Sequence, residues 1–214
     1  METIRGILFD NDGTLVDTEQ IILESFRYAT RKVLGKTIPD DELMKKVGQP
    51  LALQMWDFTT EQSVHDELLS VYRSYNHSIH DQRVRAFDGI VEALRTLKEH
   101  GYALGVVTSK LHDLAWKGLS ITGCAPYLDC CLGPQEYQGC KPEPEPILAG
   151  AAALGLSASE CVYVGDSPFD IAAGNAAGCK TVACLWGVFD EAALAAENPT
   201  WICASVHELL ELFV

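Results

Sequence analysis

The spacing of apolar residues changes several times along this chain. Gly6 to Phe9 is a short unbroken apolar run, the pattern of a strand buried on both faces. Beyond it the spacing turns helical. Asp17-Thr18-Glu19-Gln20 has the form of a capping box, and Ile22, Phe26, Ala29 and Val33 then recur at steps of four, three and four before Gly35. Asp41 to Val47 and Leu51 to Phe58 read as shorter helices broken by Gly48-Gln49-Pro50. Thr59-Thr60-Glu61-Gln62 opens a longer helix, with Val64, Leu68, Val71, Tyr75 and Ile79 predicted on its buried face. Residues 18–84 are thus expected to form an all-helical insert.

From Phe87-Asp88-Gly89 onward, helices and strands alternate. Helices are predicted over Ile90–His100, Lys110–Ile121, Pro144–Leu154 and Pro168–Ala177, with a last short one from Ser205. Strands are predicted over Tyr102–Thr108, Tyr127–Leu132, Cys161–Val164, Lys180–Leu185 and Trp201–Ala204. Continuous apolar strands separated by helices imply an α/β fold, a Rossmann-like parallel sheet with helices on both faces. Residues 1–17 and 85–214 would form this core. Right-handed crossovers then bring the strand ends at Asp10, Thr108 and Asp166 to one edge, where open α/β sheets bind ligands.

Composition narrows the function classes. Thirty acids against sixteen bases give 214 residues a formal charge of −14, which argues against nucleic acid and anionic membranes as partners. The longest apolar stretch, Leu148 to Leu156, contains two glycines and is too short to cross a bilayer. The first residues enter a strand without a signal-peptide pattern, so the cytoplasm is the expected location. All eight cysteines lie in the second half with no Cys-x-x-Cys pair, and are expected to be reduced core thiols.

Four polar signals interrupt the apolar pattern, each at a strand end or helix start. In order they are Asp10-Asn11-Asp12-Gly13-Thr14, Thr108-Ser109, Gly139-Cys140-Lys141-Pro142, and Gly165-Asp166-Ser167-Pro168-Phe169-Asp170. Two carboxylates at the tip of a buried strand are costly unless metal or proton chemistry compensates them. Alone, Asp-Gly marks a turn and Thr-Ser caps a helix. Together, at one edge of one sheet, they mark a site.

This ordered set resembles the haloacid dehalogenase superfamily of phosphohydrolases, in the branch whose helical cap follows the first strand. Within it the chain is most similar to phosphoglycolate phosphatases and related small-molecule phosphatases. The resemblance implies that Asp10 is the nucleophile, forming an aspartyl-phosphate that water cleaves. It implies Mg2+ held by the side chains of Asp10 and Asp166 and the backbone carbonyl of Asp12, with Asp170 orienting the site. Asp12 would serve as general acid and then base, Thr108 and Ser109 would bind phosphate oxygens near Gly13, and Lys141 would stabilise the transferring phosphoryl group. The insert would be a lid, with Gln49 of Val47-Gly48-Gln49-Pro50-Leu51 reaching the leaving group, unless that loop is a plain interhelical turn. Lys45 and Lys46 could add positive potential, though a solvated helix face suits them better. Asn11 stands where the family usually has an apolar residue, with a modest packing effect expected.

The second acid, Asp12, argues for phosphate esters, since halide-removing members have no alkoxide to protonate. Sugar-phosphate mutases carry an early cap histidine, and none occurs between Thr18 and Lys46. Phosphonate-cleaving relatives carry a cap lysine just beyond a glycine, where this chain has Gln49-Pro50-Leu51. A small phosphorylated metabolite is therefore the expected partner, with phosphoglycolate first. A pyrophosphatase or nucleotidase of the same superfamily is the alternative, and a non-catalytic phosphate-binding protein is the rival of a different class. The chain is expected to be a monomer or a weak homodimer.

Overall fold

A computed structural model describes residues 3–214. Six strands form one sheet in the order β5-β4-β1-β6-β7-β8, and every neighbouring pair is parallel. They are β1 (Gly6–Phe9), β4 (Ala103–Val107), β5 (Cys130–Leu132), β6 (Cys161–Gly165), β7 (Lys180–Cys184) and β8 (Trp201–Cys203). The centre, β1 and β6, is fully buried. Alternation along each strand divides the core. Ile7, Phe9, Val162 and Val164 face helices α5 (Ile90–Glu99), α6 (His112–Ile121) and α10 (Val206–Glu211). Leu8 and Tyr163 face α7 (Glu145–Ala153), and α8 (Pro168–Ala177) packs on that side through Ala173. A short helix, α9 (Glu191–Ala195), which the apolar spacing did not predict, packs Leu194 on Ile171 and Ala183.

The chain leaves this sheet after β1 through β2 (Val16–Asp17) and returns through β3 (Arg85–Ala86), two short strands paired antiparallel. Between them lie α1 (Glu19–Leu34), α2 (Asp40–Met44), α3 (Leu51–Met55) and α4 (Gln62–Arg83). These four helices share a separate apolar cluster around Phe26, Leu43, Met55, Leu68 and Tyr72. Phe26 meets the Tyr72 ring edge-on at 4.8 Å.

Two local expectations are corrected here. The capping box at the start of α1 does not form: Thr18 is the N-cap but gives no side-chain cap bond. Its hydroxyl instead donates to Asp12 Oδ1 at 2.6 Å. The buried row of α4 is His65, Leu68, Tyr72, Asn76 and His80; of the predicted row Leu68 is buried, while Val64, Val71, Tyr75 and Ile79 are only partly so. Polar members of that row are satisfied inside: His65 Nε2 meets the Ala52 carbonyl, and Asn76 Nδ2 donates to Ser25 Oγ. Lys45 is exposed and Lys46 pairs with Asp57 at the surface, so both lie on a solvated face. All eight thiols are unbridged and six are buried.

Candidate active site

The four polar signals meet at the C-terminal edge of the parallel sheet. Asp10 follows β1, Thr108 follows β4 and Asp166 follows β6, three strands that are neighbours in the sheet. Oxygens of Asp10, Asp166 and Asp170 lie within 4.8 Å of one another, and all three residues are buried. Lys141, with no exposed side-chain surface, reaches between them: its Nζ lies 3.0 Å from Asp10 Oδ1 and 2.6 Å from Asp170 Oδ1.

Each carboxylate is held by different neighbours. Asp166 accepts from Thr14 Oγ1 through Oδ1 and from the Val188 N–H through Oδ2. Asp170 Oδ2 accepts from the Ser167 N–H and hydroxyl in a capping box that opens α8. Both Asp170 oxygens are therefore engaged by protein, which suits an orienting role over a direct ligand. Asp10 Oδ1 is buried and has no aligned hydrogen bond despite the nearby ammonium. Burial pushes the Asp10 carboxyl up to about 7, against the pull of Lys141 and with the charge of Asp170 adding to the rise. Burial also lifts Asp166 well above the usual carboxylate range, helped by Asp170 and Asp10. Lys141 resists its own desolvation because Asp10 and Asp170 hold it protonated.

A hard divalent cation fits this donor set. An orphaned buried carboxylate oxygen, two acids raised by burial and mutual repulsion, and an all-oxygen environment are what Mg2+ relieves. The Asp12 carbonyl accepts no hydrogen bond among the described residues and is free to join the set.

Asp12 stands apart from this cluster, on the wall of a cavity of about 220 Å³ between sheet edge and helices. Its Oδ1 accepts from Thr18 Oγ1 and, at 2.8 Å, from Lys110 Nζ. Burial would raise Asp12, but the charge and hydrogen bond of Lys110, with the bond from Thr18, outweigh it and hold the carboxyl low. Lys110 was not anticipated as a site residue; the Thr108-Ser109-Lys110 run at a strand end was the available signal.

Asp10, Asp12, Thr108, Ser109 and Gln49 line that cavity together. Thr108 Oγ1 accepts from the Lys110 N–H, leaving its own hydrogen to give. The Ser109 N–H meets no acceptor among the described residues, while its hydroxyl donates to the Gly48 carbonyl at 2.7 Å. The Gln49 carbonyl is held by Gln54 Nε2. Gly13 meets two local demands: its N–H donates to the Val16 carbonyl, and a Cβ there would lie 2.2 Å from Asp166 Oδ2. With φ at 81°, only glycine suits both demands. Asn11 is buried with Oδ1 unpartnered.

A helical unit over the edge of a parallel sheet, above three buried carboxylates with one buried lysine among them, is an arrangement suited to hydrolysis. Residues 7–184 match the haloacid dehalogenase-like hydrolase family, and the chain belongs to it. It is 36% identical to a PpaX protein of Caldanaerobacter subterraneus subsp. tengcongensis, over 98% of this chain and 94% of that one. It is 33% identical to the pyrophosphatase PpaX of Bacillus velezensis, over 98% of this chain and 96% of that one. A crystal structure from Haemophilus somnus 129PT, named as a predicted phosphoglycolate phosphatase, superposes with a TM-score of 0.90 over the full length of both chains. At 24% identity that likeness attests the fold alone.

Proposed function

We propose that this phosphatase hydrolyses a small phosphate compound with Mg2+, through an aspartyl-phosphate on Asp10. The observation that carries the reading is the pairing of buried Lys141 with Asp10 and Asp170 beside Asp166. It gathers the charges an anionic nucleophile needs to approach an anionic phosphorus. Mg2+ held by Asp10, Asp166 and the Asp12 carbonyl would supply the remaining positive charge.

The chain's own residues then divide the work. Lys141 and the Thr108 hydroxyl hold phosphate oxygens, with the Ser109 N–H as a further donor. An Asp10 oxygen forms a bond to phosphorus while the bond to the leaving oxygen breaks. Asp12 gives that oxygen a proton; afterwards it takes one from the water that attacks the aspartyl-phosphate and releases phosphate. Lys110 and Thr18 keep Asp12 ionised, ready for the second half. An anionic phosphate arriving beside it raises its proton affinity and favours the first half. Helices α1–α4 serve as the lid that excludes bulk water.

Two leaving groups fit, a small alkoxide as in phosphoglycolate or a second phosphate. The names of the curated relatives favour pyrophosphate. Phosphate release from pyrophosphate, phosphoglycolate and an aryl phosphate, with Mg2+ and with chelator, tests the reading. Metal-dependent release that is lost in Asp10→Asn is expected. Well-folded protein that releases phosphate from none of them is a binding protein instead.

A further inference from the structure

The cavity beyond Asp12 carries a cation that the catalytic reading leaves unused. Arg73, on α4, lines it together with Asp10, Asp12 and Thr108. It is half-buried, and its side chain makes no hydrogen bond or ion pair with any described residue. Arg31, also unpaired, is exposed to solvent, and Arg85 donates only to backbone carbonyls; Arg73 is the arginine that lines this cavity. Arg5, Arg27, Arg83 and Arg95 each pair with a carboxylate: Glu160, Asp40, Glu24 and Glu92. The other cation of the cavity wall, Lys110, is engaged by Asp12 at 2.8 Å.

The placement is directional. Arg73 and His77 lie one helical turn apart, so they project from the same side of α4, and both line the cavity. Opposite them is the sheet edge with Asp10. Ile22, Phe26, Leu51, Leu111 and Leu114 supply much of the rest of the lining, beside polar Gln54 and Asn76. A guanidinium partly removed from water, facing an apolar-walled cavity, needs a planar or tetrahedral oxyanion to complete its fork of donors.

We propose that Arg73, assisted by His77, is the specificity-determining site for a second anionic group on the leaving side of the substrate. This inference rests on the phosphohydrolase reading above and deepens it. The substrate class it selects is a small phosphate compound with a distal oxyanion; a carboxylate and a second phosphate share that chemistry. Neutral leaving groups of the same size gain nothing from the guanidinium.

The test is the selectivity of the Mg2+-loaded enzyme, as kcat/KM for pyrophosphate and for phosphoglycolate, each divided by kcat/KM for ethyl phosphate. Arg73→Gln is expected to lower at least one ratio tenfold or more, mainly through KM, and the larger fall identifies the distal anion as phosphate or carboxylate. Arg73→Lys, which keeps the charge, should recover part of it. A fall of less than tenfold in both ratios overturns the proposal. If the wild-type enzyme releases phosphate from no compound, the catalytic reading fails separately. The subsite is then judged by calorimetry with pyrophosphate and phosphoglycolate: tenfold weaker binding of either in Arg73→Gln sustains it, and unchanged binding of both rejects it. Thermal unfolding of both variants separates loss of the subsite from loss of fold.

Discussion

Lys141 Nζ lies 2.6 Å from Asp170 Oδ1, and neither side chain has any exposed surface. This ion pair joins two separate sequence signals, the loop before α7 and the first turn of α8. Tyr163 completes it: its hydroxyl lies 3.2 Å from Lys141 Nζ and donates to the Val107 carbonyl, tying the pair to β4 and β6. The lysine also reaches Asp10, so one buried cation serves both the scaffold and the chemistry.

Removing that cation should therefore harm stability and turnover together. Lys141→Met leaves Asp10, Asp166 and Asp170 without their positive partner in a buried site. Breaking a buried pair from one side costs about 3–5 kcal/mol, and urea unfolding should show a loss of that order. Phosphate release should fall by about 10²-fold or more, the scale of losing an electrostatic contact to the transition state. A variant that keeps wild-type turnover would remove Lys141 from the reaction.

Metal should stabilise the protein in a pH-dependent way. Folding raises Asp10 to about 7 and Asp166 well above its usual value, both chiefly through burial. Between the unfolded carboxylate value and these raised ones, the folded chain holds more protons than the unfolded chain. Stability without metal then falls as pH rises through that window. Mg2+ replaces those protons, so its stabilising effect should be larger at about pH 8 than at about pH 5.5. At a hundredfold excess over Kd the gain at the higher pH would be about 2.7 kcal/mol. Melting with and without Mg2+ at the two pH values checks this; an increment that shrinks as pH rises would contradict the assignment of the cluster.

Asp12 makes a kinetic prediction that depends on the leaving group. Asp12→Asn removes the proton donor, so hydrolysis of an alkyl phosphate should slow by about 10²–10⁴. An aryl phosphate leaves without that proton, so its first step should suffer less while the second still lacks a base. The expected trace is a burst of phenol close to the enzyme concentration, followed by slow turnover. Thr18→Val, which deletes the 2.6 Å bond to Asp12, should reproduce part of the alkyl-phosphate defect. Equal losses on both substrates with no burst of phenol would argue that Asp12 acts only through structure.

The sheet and its chemical edge were legible because buried parallel strands are written as unbroken apolar runs. Gly6–Phe9 and Pro168–Ala177 have the predicted bounds, and Asp10, Thr108 and Asp166 sit at adjacent strand ends. The face of α4 was legible only at Leu68. Its buried row contains His65, Asn76 and His80, whose burial depends on hydrogen bonds and packing partners elsewhere in the fold. A search for hydrophobic spacing selects the neighbouring row. Thr18 misled in the same way: a capping sequence gives no sign that a carboxylate six residues earlier will take the hydroxyl. Lys110 and Arg73 gain meaning only when α4 is laid over the sheet edge. Pairwise contact across sixty residues and more is where local pattern stops.

Gly48 offers the sharpest test of the lid. It has φ of 103°, and a Cβ there would lie 2.7 Å from Ser167 Oγ and 3.1 Å from Ser167 Cβ. Its carbonyl accepts from Ser109 Oγ at 2.7 Å, so the helical unit touches both the second and fourth polar signals of the sheet edge at one residue. Gly48→Ala would meet steric conflict with Ser167 and a backbone strain of about 1–2 kcal/mol. Both are relieved if the loop lifts away. Such a variant should fold normally yet lose kcat and gain KM together, because closure both binds substrate and excludes water. Ser109→Ala removes the hydrogen bond without the clash and keeps the Ser109 N–H, so its defect should point the same way and be smaller. Wild-type kcat and KM in both variants would show that this contact does not govern closure.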